Sequence, residues 1–176
     1  MFLNIWYKFV CMVRREKMDL RFETEEFFFG MRASVVILNK EGDKLLVHHS
    51  LKFNHRALPG GGIAGLETSS ETAKRELEEE IGAEIEVKNC IAVIENFFDA
   101  KGLKQHEVQF VYLAEFKDPK MYERETFEPA EERKKGKLEF MFIPIDDLEK
   151  YDLKPSCLID VIRNKKFDRV NHIITK

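Results

Sequence analysis

Six glutamates crowd the segment between Gly60 and Ala83, at positions 67, 71, 76, 78, 79 and 80, against Lys74 and Arg75 alone. Three of them have a spacing that bears on chemistry. On a helix turning about 100° per residue, setting Glu76 at zero puts Glu79 near about −60° and Glu80 near about +40°, so three carboxylates share one arc. Ala73, Leu77 and Ile81 form an adjoining apolar stripe, so the acidic arc borders a packed surface. Carboxylates held together on a rigid element repel one another, and a hard divalent cation that prefers oxygen ligands relieves the repulsion. A solvated Glu-rich helix face is the competing reading, with equal weight on the helix alone. The preceding Pro59-Gly60-Gly61-Gly62 shifts the balance, because glycines let backbone carbonyls and amides approach a ligand closely. A glycine loop followed by an acidic helix describes a site for a polyphosphate with its bound metal.

The elements around this segment must position it. Residues 68–81, rich in Glu, Lys, Ala and Leu, predict a helix opened by Thr68, Ser69 or Ser70 and closed by Gly82. Residues 31–39 and 44–49 read as two strands of a hairpin around Lys40-Glu41-Gly42-Asp43. Residues 84–98 and 105–116 read as a second hairpin around Asp99-Ala100-Lys101-Gly102. Residues 117–137 are charged and irregular, a loop or flap. Leu138 to Ile145 reads as a strand, Asp146 to Lys150 as a helical turn, and Pro155 to Arg163 as a last helix with proline in its first turn. In residues 1–17, Phe2, Trp6, Phe9 and Val13 recur at the spacing of a short amphipathic helix, an extension expected to pack on the domain or on a second subunit. Residues 18–176 are then one domain.

Gly61, Glu67 and the run Arg75-Glu76-Leu77-Glu78-Glu79-Glu80-Ile81-Gly82-Ala83 resemble the signature of the Nudix hydrolase family, G-x5-E-x7-R-E-U-x-E-E-x-G-U with U apolar, at every fixed position. The resemblance implies an α/β fold, an α/β/α sandwich with a mixed β-sheet, and metal-dependent hydrolysis of a nucleoside diphosphate linked to another moiety. It further implies that Glu76, Glu79 and Glu80 bind Mg²⁺ or Mn²⁺ and include the base, that Gly60 lends a carbonyl, and that Glu67 and Arg75 tie the loop to the helix. Two departures stand out. Ala64-Gly65-Leu66 replaces a stretch that often carries a glutamate, and Arg56-Ala57 stands where a tryptophan is frequent. The proline and tyrosine marks of ADP-ribose and dinucleoside polyphosphate hydrolases would fall near Phe98 and near Ala100 or Lys101. Their absence leans toward a nucleoside di- or triphosphate pyrophosphohydrolase. The alternatives are a regulatory nucleotide-binding domain without turnover and a hydrolase of ADP-ribose or nucleotide sugars.

Outside the box, Glu107, Gln109, Val111 and Leu113 alternate with Val108, Phe110 and Tyr112, so Glu107 opens a strand face that could meet the metal site as a further ligand or general base. A solvent-exposed strand end is the plainer reading, and Glu95 is the runner-up. His106 is expected to be structural. His48 and His49 end the strand before the glycine loop, where a basic side chain such as His49 could touch a substrate phosphate, with a packing or surface role the plainer reading, and Phe97 and Phe98 could stack a nucleobase. A formal net charge of −3 offers no basic footprint for nucleic acid, which argues against an RNA-decapping role. Three scattered cysteines, 11, 90 and 157, fit a reducing cytoplasm, and the apolar stretch at residues 1–13 is too short to span a membrane. The partner implied is a small nucleotide, with a homodimer left open.

Overall fold

The computed structural model describes residues 18–100, 102–131 and 135–176, so the expected N-terminal helix lies outside the described residues. The strands are β1 (Arg21–Glu23), β2 (Phe27–Val36), β3 (Lys44–Ser50), β4 (Arg56–Ala57), β5 (Gly60–Gly62), β6 (Ile85–Ala100), β7 (Leu103–Phe116), β8 (Thr126–Phe127), β9 (Leu138–Pro144), β10 (Leu153–Lys154) and β11 (Asn171–Thr175), and the long ones, β2, β6 and β7, are the runs rich in Val, Ile and Phe. The helices are α1 (Ser69–Ile81) and α2 (Leu158–Arg163). One sheet runs β1-β2-β7-β6-β11 with β5 also on β2, and the other runs β10-β4-β3-β9-β8. Both sheets are mixed, since β2/β7, β6/β11 and β4/β10 pair in parallel within otherwise antiparallel ladders. The α/β class with mixed sheet is as expected.

Each end of α1 is fixed by local chemistry. Of the three candidate caps it is Thr68 that acts: its side chain accepts from Glu71 N, and Glu71 reaches back to Thr68 N at 2.8 Å. Gly82, at φ 66°, takes the left-handed conformation and donates its N–H to Glu78 O, which stops the helix. Ala73, Leu77 and Ile81 are buried against Ala33 and Val35 of the large sheet, Ile37 just beyond it, and Leu46 and Phe140 of the small one. A second core joins Val36, Ile94 and Val111 to Leu45, Val47 and Leu158. Burial of a side chain such as Leu77 contributes about 1.5–3 kcal/mol to holding the acidic helix on the sheets.

Three expectations are corrected. The 31–39/44–49 hairpin survives only near its turn, where Leu38 bridges Leu45 and Asn39 N donates to Lys44 O at 3.0 Å. Beyond it β2 joins β7 and β3 joins β9, because both strands are apolar on both faces and a two-stranded ribbon would leave one face uncovered. The last helix starts at Leu158, with Pro155 ahead of it rather than in its first turn. The stretch 117–137 is not all loop, since a 3₁₀ turn at Pro119–Glu123 and strand β8 lie within it. The second hairpin is as expected, with β6 and β7 paired from Ile85/Phe116 to Ala100/Leu103. Strand β11 has no counterpart in the sequence reading; it lies parallel to β6.

Candidate active site

The site is built where α1 packs on β5. Gly61 is the contact point, because a Cβ there would lie 2.2–2.3 Å from the Glu76 carboxyl group, so only glycine leaves room for that carboxylate. Gly60, at φ +136°, brings the chain against β2, where a Cβ would lie 2.2 Å from Ala33 O. The carbonyl of Gly60 accepts from Arg32 Nη2 at 2.6 Å, and its N–H donates to Glu80 Oε2 at 3.1 Å.

Arg75 ties loop and helix together. Its Nε lies 3.0 Å from Glu67 Oε1 and its Nη2 3.0 Å from Glu67 Oε2, while Thr72 Oγ1 donates to the same carboxylate at 2.9 Å. The guanidinium also donates to Gly62 O at 3.2 Å, to Glu76 Oε1 at 2.7 Å and to Glu79 Oε2 at 3.1 Å. Burial pulls against its charge, but the bonds to Glu67 and Glu76 outweigh this and hold its pKa above the ordinary value. Arg75 is therefore a permanent cation bridging loop and helix.

The box carboxylates share a side of α1 without meeting at a point. Glu79 is 48 % exposed, Glu76 lies lower against Gly61, and Glu80 is 4 % exposed, turned toward Gly60 and 3.9 Å from His48 Nδ1. Among the described residues no three His, Cys, Asp or Glu side chains converge at metal-binding reach. The donor set nonetheless fits a hard divalent cation: it is all oxygen, and the glycine cradle holds Glu76 where a side chain on residue 61 would displace it. Glu78 is exposed, as its phase on the helix requires.

A cleft of about 650 Å³ opens between the two sheets; no box carboxylate lines it, and it meets the lattice through Arg32, bonded to the Gly60 carbonyl, and His48, near Glu80. Its floor is one face of the large sheet, on which Arg32, Glu107, Gln109 and Asn96 share register. Gln109 Nε2 donates to Ser34 Oγ at 2.8 Å, and both residues are buried. Burial pushes the Glu107 carboxyl group above the ordinary range, against the pull of the Arg32 charge and a hydrogen bond from Asn96. Glu107 thus faces the cleft and is not an exposed strand end.

Other candidates divide by strand alternation. His48 lines the cleft, whereas His49 points away, its Nε2 2.8 Å from Phe53 O and its Nδ1 3.6 Å from Glu139 Oε2; His49 as a phosphate contact is corrected in favour of the plainer packing reading, since β3 carries the two histidines to opposite sides. Phe97 and Phe98 both line the cleft, Phe98 43 % exposed and the Phe97 ring stacked on His106 with centroids 4.3 Å apart. Glu95 pairs with His172 at 2.8 Å and is absent from the cleft lining. Two residues escaped the sequence reading. Arg32 precedes an apolar run and carries no motif, and Asp19 lies with its carboxyl group 2.9 Å from where a Gly62 Cβ would be, close to the loop whose Ala64 replaces the frequent glutamate.

The family model described as NUDIX domain matches residues 29–162. The chain belongs to the Nudix hydrolase family. Among solved structures, a UDP-X diphosphatase matches the Nudix chain with a TM-score of 0.55 at 17% identity, covering 96% of this chain and 74% of its own. An ADP-ribose pyrophosphatase from Streptococcus suis gives a TM-score of 0.55 at 15% identity, covering 83% and 98%, and a NUDIX-family hydrolase from Clostridium perfringens gives 0.54 at 23%, covering 79% and 96%. No curated protein matches the chain. No helix among the described residues is long and apolar enough to cross a membrane.

Proposed function

We propose that this Nudix chain hydrolyses the diphosphate bond of a nucleoside diphosphate joined to a second moiety, with a divalent cation such as Mg²⁺. The observation that carries this is the lattice in which Arg75 binds Glu67, Glu76, Glu79 and the Gly62 carbonyl together, fixing acidic helix and glycine loop as one unit beside an open cleft. Glu76, Glu79, Glu80 and the Gly60 carbonyl would hold the cation, which when bound neutralises phosphate oxygens and acidifies water. Glu107, on the cleft floor, has a pKa raised by burial, as suits a carboxylate that accepts a proton from attacking water. Asn96 and Phe98 would orient the organic part of the substrate.

The cleft favours a two-part substrate over a nucleoside triphosphate. At about 650 Å³ it holds more than a nucleoside, and its floor carries Arg32 beside Glu107 and the amides of Asn96 and Gln109 rather than a cluster of cations for a third phosphate. The names of the UDP-X diphosphatase and ADP-ribose pyrophosphatase point the same way. The missing proline near Phe98 favours the triphosphate reading instead. A panel of ADP-ribose, nucleotide sugars and nucleoside triphosphates with Mg²⁺, resolved by chromatography of the products, separates the two. Nucleoside monophosphate from the two-part substrates supports the proposal; pyrophosphate from triphosphates alone supports the second reading; binding without turnover contradicts both.

A further inference from the structure

Resting on the cation-dependent reading above, we propose that Arg32 is a phosphate ligand for the substrate, held on the Gly60 carbonyl until a cation binds there. Arg32 stands on β2 at the edge of the cleft nearest the glycine loop. Its hydrogen-bond partners among the described residues are neutral: Gly60 O from Nη2 at 2.6 Å and Ser34 Oγ from Nε at 3.3 Å. Lys154, another cleft cation, is spent on Asp152 at 2.8 Å. Among the described residues no carboxylate is hydrogen-bonded to Arg32, although Glu107 two residues along the paired strand is near enough to feel its charge, so the guanidinium is poised over a site for an anionic ligand.

The contact with Gly60 makes this more than a basic residue near a cleft. The oxygen that Arg32 holds, the Gly60 carbonyl just ahead of the box, is one that the proposed function gives to the cation, and two positive charges cannot share one carbonyl oxygen without strong repulsion. Cation binding therefore expels the guanidinium. Its Nε stays close to Ser34, which Gln109 fixes from below at 2.8 Å, so the Nη groups swing about a tethered base. Glu107 on one side of that swing and a diphosphate entering the cleft on the other are the groups that can receive it, and a planar guanidinium matches phosphate oxygens in a bidentate fashion. Phosphate capture then follows metal loading, and an empty enzyme does not trap bare nucleotide.

The test uses the full chain, with Mn²⁺ and α,β-methylene-ADP as probes and calorimetry as the readout. Arg32→Ala is expected to bind Mn²⁺ alone about three- to tenfold more tightly than wild type, and to bind α,β-methylene-ADP at saturating Mn²⁺ at least about tenfold more weakly. Arg32→Lys, which keeps the charge but loses the fork, should recover less than half of the lost nucleotide affinity on a logarithmic scale. Side-chain ¹⁵N NMR separates the latch from simple repulsion: the Arg32 Nη signals should be resolved in the free protein, merge on adding Mg²⁺, and separate again with the nucleotide probe. An Arg32→Ala protein that melts like wild type but shows unchanged or weaker Mn²⁺ affinity, unchanged probe affinity, or Arg32 signals indifferent to Mg²⁺ overturns the proposal. If wild type binds Mn²⁺ and Glu76→Gln does not, while Arg32→Ala behaves as wild type, the Arg32 proposal alone fails. If wild type binds no Mn²⁺, the cation-dependent reading fails and this one with it.

Discussion

Arg75 makes more bonds in the site than any other box residue, so it is where the structure is most exposed to a single substitution. Arg75→Ala leaves Glu67, 9 % exposed in its side chain, without its guanidinium, and should cost about 1–3 kcal/mol in a thermal melt without substrate, with turnover falling in consequence. Unchanged melting with a much raised KM would instead make Arg75 a substrate ligand. Glu107 gives a prediction with a sign. Its pKa is raised in the folded chain, so its contribution to stability is full below the ordinary carboxylate range and is lost as pH rises through the folded value. Glu107→Gln should therefore melt higher than wild type at pH 7 and lose that advantage in acid, while the acidic limb of the pH–rate profile, which reports the base losing its proton, disappears with the activity. That Glu76, Glu79 and Glu80 share a side of α1 was legible, because helical phase follows from spacing; their role as cation ligands remains a proposal. The placement of Arg32 and Asp19 beside the glycine loop was not legible, since it comes from chain pairings that bring distant segments together.

The glycine loop and α1 act as one element, and two adjacent glycines in it should respond differently. A Cβ at Gly61 would press on the far end of the Glu76 side chain, which can move, so Gly61→Ala should keep stability within about 1 kcal/mol while displacing Glu76 and lowering turnover by orders of magnitude. A Cβ at Gly60 would meet the Ala33 backbone at φ +136°, so Gly60→Ala should cost more than about 2 kcal/mol. Paired melts and rates of the two variants check the contrast; equal loss of stability would mean that the carboxylate is not held in the cradle. The helix and the 84–116 hairpin were readable because caps, turn residues and periodicity are local. The first hairpin misled because β2 and β3 are apolar on both faces, and sequence cannot say which neighbour covers each.

At the scale of the whole molecule, the cleft exists because two mixed sheets share a core but part beside the glycine loop, and β11 closes its far side. Thr175 Oγ1 donates to Asn96 Oδ1 at 2.6 Å, so the end of the chain helps set the floor. We propose on this ground that residues 18–176 form one domain, and that removing residues 171–176 weakens substrate binding more than it lowers turnover, as a KM and kcat comparison would show. No motif announced β11, because its partner β6 lies some eighty residues away in the chain. The most direct measurement is Mg²⁺-dependent release of nucleoside monophosphate from a nucleoside diphosphate derivative by wild type, Glu79→Gln and Glu78→Gln, each with and without excess chelator. We expect turnover in wild type and Glu78→Gln, its abolition by chelator, and a loss of orders of magnitude in Glu79→Gln. Full turnover with chelator present, or equal damage from both substitutions, would contradict a cation held by the acidic face of α1.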